Sequence, residues 1–132
     1  MAGSLEVHVV TPEREVWTGE ASSVVARTVE GDVGILPGHV PFLAALAVGA
    51  LYIDAPEGRV AAAVDGGFLH VTGSMEETRV DVLAEHAELA SEIDVDAARR
   101  SRDEAERRLA AEQSAEARTE LAKALARIQV GG

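Results

Sequence analysis

The chain contains no cysteine. A disulfide framework, a thiol nucleophile and a thiolate metal site are therefore all excluded. Aromatic residues are nearly as scarce, with Trp17, Tyr52, Phe42 and Phe68 the only ones present. Bases are also few, 12 against 23 acids. The chain thus lacks both the rings on which bases stack and the positive potential that phosphates need, which argues against nucleic acid as a partner. Long apolar runs are missing too. The longest stretch free of both charged residues and histidine, Val40 to Ile53, is broken by Pro41 and Gly49, and a bilayer span takes about 20 apolar residues. No direct membrane insertion is expected, so any membrane association should run through a partner. Met1-Ala2-Gly3-Ser4 has no basic region, so no secretory leader is expected.

Catalytic signatures are absent as well. His8, His39, His70 and His86 lie far apart in the sequence and show no metal-ligand spacing. There is no Gly-x-Ser-x-Gly elbow and no Gly-x-x-x-x-Gly-Lys phosphate loop. Neither an intrinsic active site nor a cofactor is expected.

What is present falls into two regions. From Leu5 to about His86 apolar residues recur with the strand period of two, as in Leu5, Val7 and Val9. Ser22 to Val29, Val60 to Val64, Phe68 to Val71 and Thr78 to Ala84 read as further strands. Punctuation at Thr11-Pro12, Gly19, Gly49, Pro56-Glu57-Gly58, Asp65-Gly66-Gly67 and Gly73-Ser74 predicts turns between short strands, hence a sandwich or barrel. Asp65-Gly66-Gly67 in particular reads as a hairpin turn. The most distinctive segment is Gly31-Asp32-Val33-Gly34-Ile35-Leu36-Pro37-Gly38-His39-Val40-Pro41, with three glycines and two prolines. It predicts a shaped loop with few polar side chains, suited to meeting another surface rather than to chemistry.

After about Ala87, glycine and proline vanish until Gly131, and Ala, Glu and Arg dominate. Asp94 is positioned to cap a helix over Val95 to Ala111, and Ser114 a second one running to Gln129. Asp96–Arg100, Asp103–Arg107 and Glu104–Arg108 have the spacing of i,i+4 ion pairs. The two helices predict an antiparallel hairpin. Its seam would set Ala98, Ala105 and Leu109 against Ala117, Leu121, Ala124, Leu125 and Ile128. Large side chains contribute roughly 1.5–3 kcal/mol each when fully buried, and this seam has few. Such a hairpin should be marginal alone and lean on the sheet or on a partner. The fold class expected is α+β in two parts: an antiparallel β-sandwich over 1–88 and an antiparallel helical hairpin over 89–132. Charge divides at nearly the same place. Residues 1–90 hold fourteen acids and four bases, and residues 91–132 nine and eight.

In combination, the sandwich pattern, the Gly31–Pro41 segment and the Ala/Glu/Arg hairpin resemble the epsilon subunit of F-type, proton-translocating ATP synthases. Thr11-Pro12-Glu13 with Trp17 and Gly19, Ala63-Val64-Asp65-Gly66-Gly67-Phe68-Leu69-His70-Val71, and Ile93-Asp94-Val95-Asp96 extend the match over nearly the whole chain. The resemblance implies a noncatalytic subunit at the cytoplasmic face of the cell membrane. Its sandwich would grip the gamma subunit and rest on the membrane rotor ring of c subunits. Its hairpin would either fold down or extend to the catalytic alpha/beta head and restrain ATP hydrolysis. Glu30, Asp32 and His39 are then the expected rotor-ring contacts, and Arg118, Lys123 and Arg127 the expected contacts to the head. His39 could equally hydrogen-bond within its own turn, and Trp17 reads first as a strand anchor. Some members bind ATP in the folded hairpin through Ile/Leu-Asp-x-x-Arg-Ala. Here the stretch is Ile93-Asp94-Val95-Asp96-Ala97-Ala98, with Ala97 where that motif has arginine. Arg99 lies about 200° round the helix from it. Weak ATP binding, or none, is expected. The alternative without the resemblance is a free-standing adaptor or chaperone module with a helical arm.

Overall fold

A computed structural model describes residues 4–74 and 76–132. Eight strands form first: β1 (Leu5–Val10), β2 (Glu15–Ala21), β3 (Ser23–Thr28), β4 (Gly31–Ile35), β5 (Phe42–Ala55), β6 (Gly58–Gly73), β7 (Thr78–Ala84) and β8 (Ala87–Leu89). A single 3-10 turn, Ala90–Glu92, leads into α1 (Val95–Ala111) and α2 (Ala115–Gly131). The strands run in the order β2-β1-β7-β6-β5-β3-β4, with β8 also on β6. Among the described residues only β1 and β7 pair in parallel; the rest pair antiparallel. Alternation fixes the register. Leu5, Val7 and Val9 of β1, Leu69 and Val71 of β6, and Val80 and Val82 of β7 all point into one core at 0–1% exposure. The β-sandwich followed by two helices is the α+β fold that the sequence predicts.

Three expected turns and half of the expected loop turn out to be strand. The first half of the Gly31–Pro41 segment is β4, paired with β3 from Gly31↔Thr28 to Ile35↔Val24. Only Leu36 to Pro41 is loop, closed by the His39 amide donating to the Leu36 carbonyl at 3.0 Å. Gly19 and Gly49 lie inside β2 and β5. Gly49 is there for a close approach, since a Cβ would come within 2.7 Å of the Arg27 side chain. Asp65-Gly66-Gly67 is a corner within the continuous β6, not a hairpin turn. Before the corner β6 pairs with β8, after it with β7, and β5 accompanies it throughout. Gly67 sits at φ +120 with the Leu83 carbonyl oxygen 2.1 Å from where a Cβ would be. No other residue fits there.

The helices begin where their caps predict. The Ala97 amide donates to Asp94 Oδ1 at 3.0 Å and the Ala117 amide to Ser114 Oγ at 3.2 Å. The second helix continues two residues past the predicted Gln129, to Gly131. Among the described residues, none of the three predicted i,i+4 pairs closes. Asp96 meets Arg99 instead, Asp103 meets Arg102, and Arg108 reaches across the turn to Glu116. Exposed pairs of this kind are nearly degenerate in energy, so spacing alone does not choose among them. The seam also differs from expectation. Leu125 points outward at 48% exposure, while Ala98, Ala105, Ala117, Ala124 and Ala126 are the buried residues. Leu109, Leu121 and Ile128 are only half-buried. The hairpin is held by alanines.

Candidate functional site

Two surfaces carry the polar and apolar features that a partner could read. The first lies at the sandwich loops. Asp32 of β4 accepts from Arg27 Nε at 3.1 Å, with both side chains largely exposed. Glu30 occupies the β3–β4 turn, its amide donating to Thr28 Oγ1 at 3.1 Å, and its side chain is exposed. The His39 Nδ1 lies 2.7 Å from the Val40 carbonyl, and its ring meets Phe42 edge-on at 5.7 Å. The loop is anchored by the Gly38 amide, which donates to Thr78 Oγ1 at 2.8 Å. No hydrogen bond among the described residues joins Glu30, Asp32 and His39 to one another. They are separate points, Glu30 and Asp32 exposed and His39 half-buried, not a convergent pocket.

Sequence reasoning missed the apolar part of this surface. Val29, Leu36, Val40 and Leu43 are each more than 60% exposed, and Phe68 and Leu83 are about half exposed at 54% and 49%. Phe68 and Leu83 are direct cross-strand neighbours, and Ala45 sits opposite Phe68 on the other side. Phe68 and Leu83, together with Val10, Pro12 and Leu46, line a shallow apolar depression of about 600 Å3. Clustered exposed leucine and phenylalanine of this kind mark an interaction face. The signal was available: Leu43, Phe68 and Leu83 are apolar residues on the outward phase of strands whose inward phase is already filled.

The second surface is the junction of hairpin and sheet. Arg127 of α2 projects back onto β6 and β8. Its Nη1 and Nη2 donate to the two oxygens of Asp65 at 2.8 Å each, and its Nε donates to Glu88 at 2.6 Å. Asp65 is 8% exposed and Arg127 14%. Burial works against the Arg127 charge, but the hydrogen bonds it donates to Asp65 and Glu88 outweigh it and hold the guanidinium above its ordinary pKa. The expected head contacts therefore stand in different places. Arg118 is exposed and donates to Gln113, Lys123 is half-buried, and Arg127 is engaged with the sheet.

Beside the triad is a notch of about 250 Å3 that includes Asp94, Ala97 and Lys123. Ala97 brings no cation to it, and Arg99 turns to Asp96 at 3.5 Å. The guanidinium that does face the notch, Arg127, already holds two carboxylates.

A second ion pair ties the sandwich to the 3-10 turn. Arg14, just before β2, donates through both terminal nitrogens to Glu92 at 2.8 Å, and Glu92 also accepts from the Leu89 amide at 2.9 Å. The Arg14 hydrogen bonds, then the amide, draw the Glu92 pKa from an ordinary 4.5 down to about 2. A depressed carboxylate pKa stabilises the fold fully above the unfolded value and loses that contribution as pH falls through the folded one. The stability difference between wild type and Glu92→Gln should thus be constant from pH 7 to about 5, then shrink between about 4.5 and about 2. Its size should be about 1 kcal/mol or less, because the pair is solvent-screened. Urea denaturation across that range checks it; a difference that grows on acidification would contradict the assignment.

A β-sandwich subunit with an exposed apolar face and a C-terminal helical hairpin is the class of protein defined here. Both parts match family models. Residues 4–90 match the beta-sandwich domain of the ATP synthase delta/epsilon chain, and residues 91–132 its long alpha-helix domain. The chain is 52% identical over 128 residues to the ATP synthase epsilon chain of Thermobifida fusca, covering 95% of this chain and 90% of that one. It is 43% identical over 136 residues to that of Nitratidesulfovibrio vulgaris, covering 100% and 98%. A chain of the Euglena gracilis mitochondrial ATP synthase, in an OSCP/F1/c-ring structure, shares the fold at a TM-score of 0.74 and 22% identity. That likeness covers 96% of this chain and 78% of the Euglena one. The chain belongs to the ATP synthase delta/epsilon family.

Proposed function

We propose that this chain is the central-stalk subunit that couples rotation to ATP synthesis and restrains ATP hydrolysis through its hairpin. Family membership across both parts carries the reading. The sandwich is the fixed part. Its apolar face around Phe68 and Leu83 is covered by the gamma subunit, and Glu30, Asp32 and His39 lie toward the membrane rotor ring. The hairpin is the moving part. Once off the sheet, it presents Arg118, Lys123 and Arg127 to the catalytic alpha/beta head. The chain itself holds no catalytic group and works as a peripheral subunit at the cytoplasmic face of the membrane.

Two observations favour mobility of the hairpin over a static appendage. The buried residues of α1 and α2 are all alanine, and alanine loses little apolar burial on release. The helices also carry their own caps, so they remain helices when they move. Cutting the chain after residue 90 should leave the sandwich folded and still bound in the complex, while ATP hydrolysis rises several-fold. Hydrolysis unchanged by that truncation would remove the hairpin from regulation.

ATP is not a ligand of the folded hairpin in this reading. Ala97 supplies no cation, and Asp94 and Asp96 repel phosphate. Titration calorimetry of the isolated chain should give a Kd no tighter than the millimolar range; a micromolar value would overturn this.

A further inference from the structure

We propose that the Asp65–Arg127–Glu88 triad is an ionic latch that sets how often the hairpin leaves the sheet. The proposal rests on the reading that the hairpin moves, and specifies what holds it.

The packing of α2 is poor in apolar area. Its buried residues are Ala117, Ala124 and Ala126. Leu125, the large residue that could have strengthened it, is 48% exposed. Small side chains carry few dispersion contacts and little area out of water. The ionic contact is the opposite. Three hydrogen bonds of 2.6–2.8 Å join one guanidinium to carboxylates on two strands, and the Asp65 half is the bidentate fork that arginine alone provides. Other charged groups lining the notch are Glu120 and Lys123 from α2 and Asp94 from the start of α1. Acids outnumber bases among them, so losing Arg127 leaves carboxylates facing one another without compensation. A charge kept from water and robbed of its partner is costly. Release returns the carboxylates to water, so removing one partner penalises the docked state specifically.

The Arg14–Glu92 pair joins the sandwich to the 3-10 turn and involves nothing beyond Glu92. It stays closed when the latch opens. The pivot is therefore Ile93–Asp94, immediately after the pinned carboxylate and immediately before α1.

The absence of cysteine allows two spin labels to be placed cleanly in the isolated full chain, at Val25→Cys on β3 and Leu125→Cys on α2. Both positions are exposed and line one notch between sheet and hairpin. The latch predicts a short, dominant interspin distance in the otherwise wild-type chain. Arg127→Gln should raise the long-distance fraction on the order of tenfold or more. Arg127→Lys should fall between the two, because it keeps the charge and loses the fork. Asp65→Asn tests the sheet side; if it fails to fold, the Arg127 variants, on the helix, still decide. Arg14→Ala should leave the short distance dominant. Folded Arg127→Gln protein with the wild-type distance distribution would overturn the latch. If that happens while truncation after residue 90 still raises hydrolysis, the latch fails and hairpin regulation stands. If Arg127→Gln frees the hairpin and truncation leaves hydrolysis unchanged, the latch stands and regulation fails.

Discussion

Gly67→Val should cost the isolated chain at least about 4 kcal/mol, most of the stability of a typical small domain. Two causes add. A β-branched residue at φ +120 is strained by roughly 1–3 kcal/mol before any contact is considered. Its Cβ would then lie 2.1 Å from the Leu83 carbonyl oxygen and 2.8 Å from Ala84 Cα. Both obstacles are backbone, so no side chain can swing aside. Relief requires β6 and β7 to separate, and their pairing runs from Gly67↔Ala84 to Gly73↔Thr78 through the heart of the core. Gly34→Ala is the control. Gly34 lies in β4 with nothing within 4 Å of the added carbon, and the change should stay within about 0.5 kcal/mol. Urea unfolding of the two variants checks the contrast. Near-wild-type stability for Gly67→Val would show that the strand corner is not built as described.

The second large effect is functional. Locking the hairpin to the sheet should raise ATP hydrolysis by the assembled complex several-fold. Val25 and Leu125 border the same notch, so cysteines at both positions can be joined by a short bismaleimide, with no native thiol to compete. On the proposed function, a hairpin that cannot leave cannot reach the head, and its restraint on hydrolysis should be lost. The unlinked double-cysteine protein in the same complex sets the baseline. Hydrolysis that falls or stays constant on cross-linking would mean that the docked arm is not the permissive state. Locking and truncation after residue 90 should act in the same direction, although one keeps the helices and the other removes them.

Period-two alternation was enough to read β1 and β7, because each buries one side chain in two with no exception. The helix starts were legible because Asp94 and Ser114 are side-chain caps, a local interaction that needs no tertiary knowledge. Glycine was the weak point. Gly49 and Gly67 look like turn residues in a sequence, yet both are in strands because a neighbour occupies the space of a Cβ. That neighbour is Arg27 in one case and β7 in the other, and both arrive through long-range pairing. Val60 to Val64 and Phe68 to Val71 look like separate strands in the sequence for the same reason, and are one strand, β6. Arg127 was the other limit. It reads as one more exposed helix cation, and its two carboxylates lie 62 and 39 residues away along the chain. Composition could show the thin seam but not the ions that close it.

Family membership places the chain in a rotary assembly, and the direct test is to ask what it holds on to. An affinity tag on the full chain, detergent-solubilised membranes and mass spectrometry of the recovered proteins supply the measurement. The stalk reading predicts recovery of gamma, alpha and beta subunits together with the rotor-ring subunit. Leu83→Asp on the apolar face should reduce all of them in parallel. Recovery of the chain alone, or with unrelated soluble proteins, would contradict the stalk assignment and favour a free-standing adaptor.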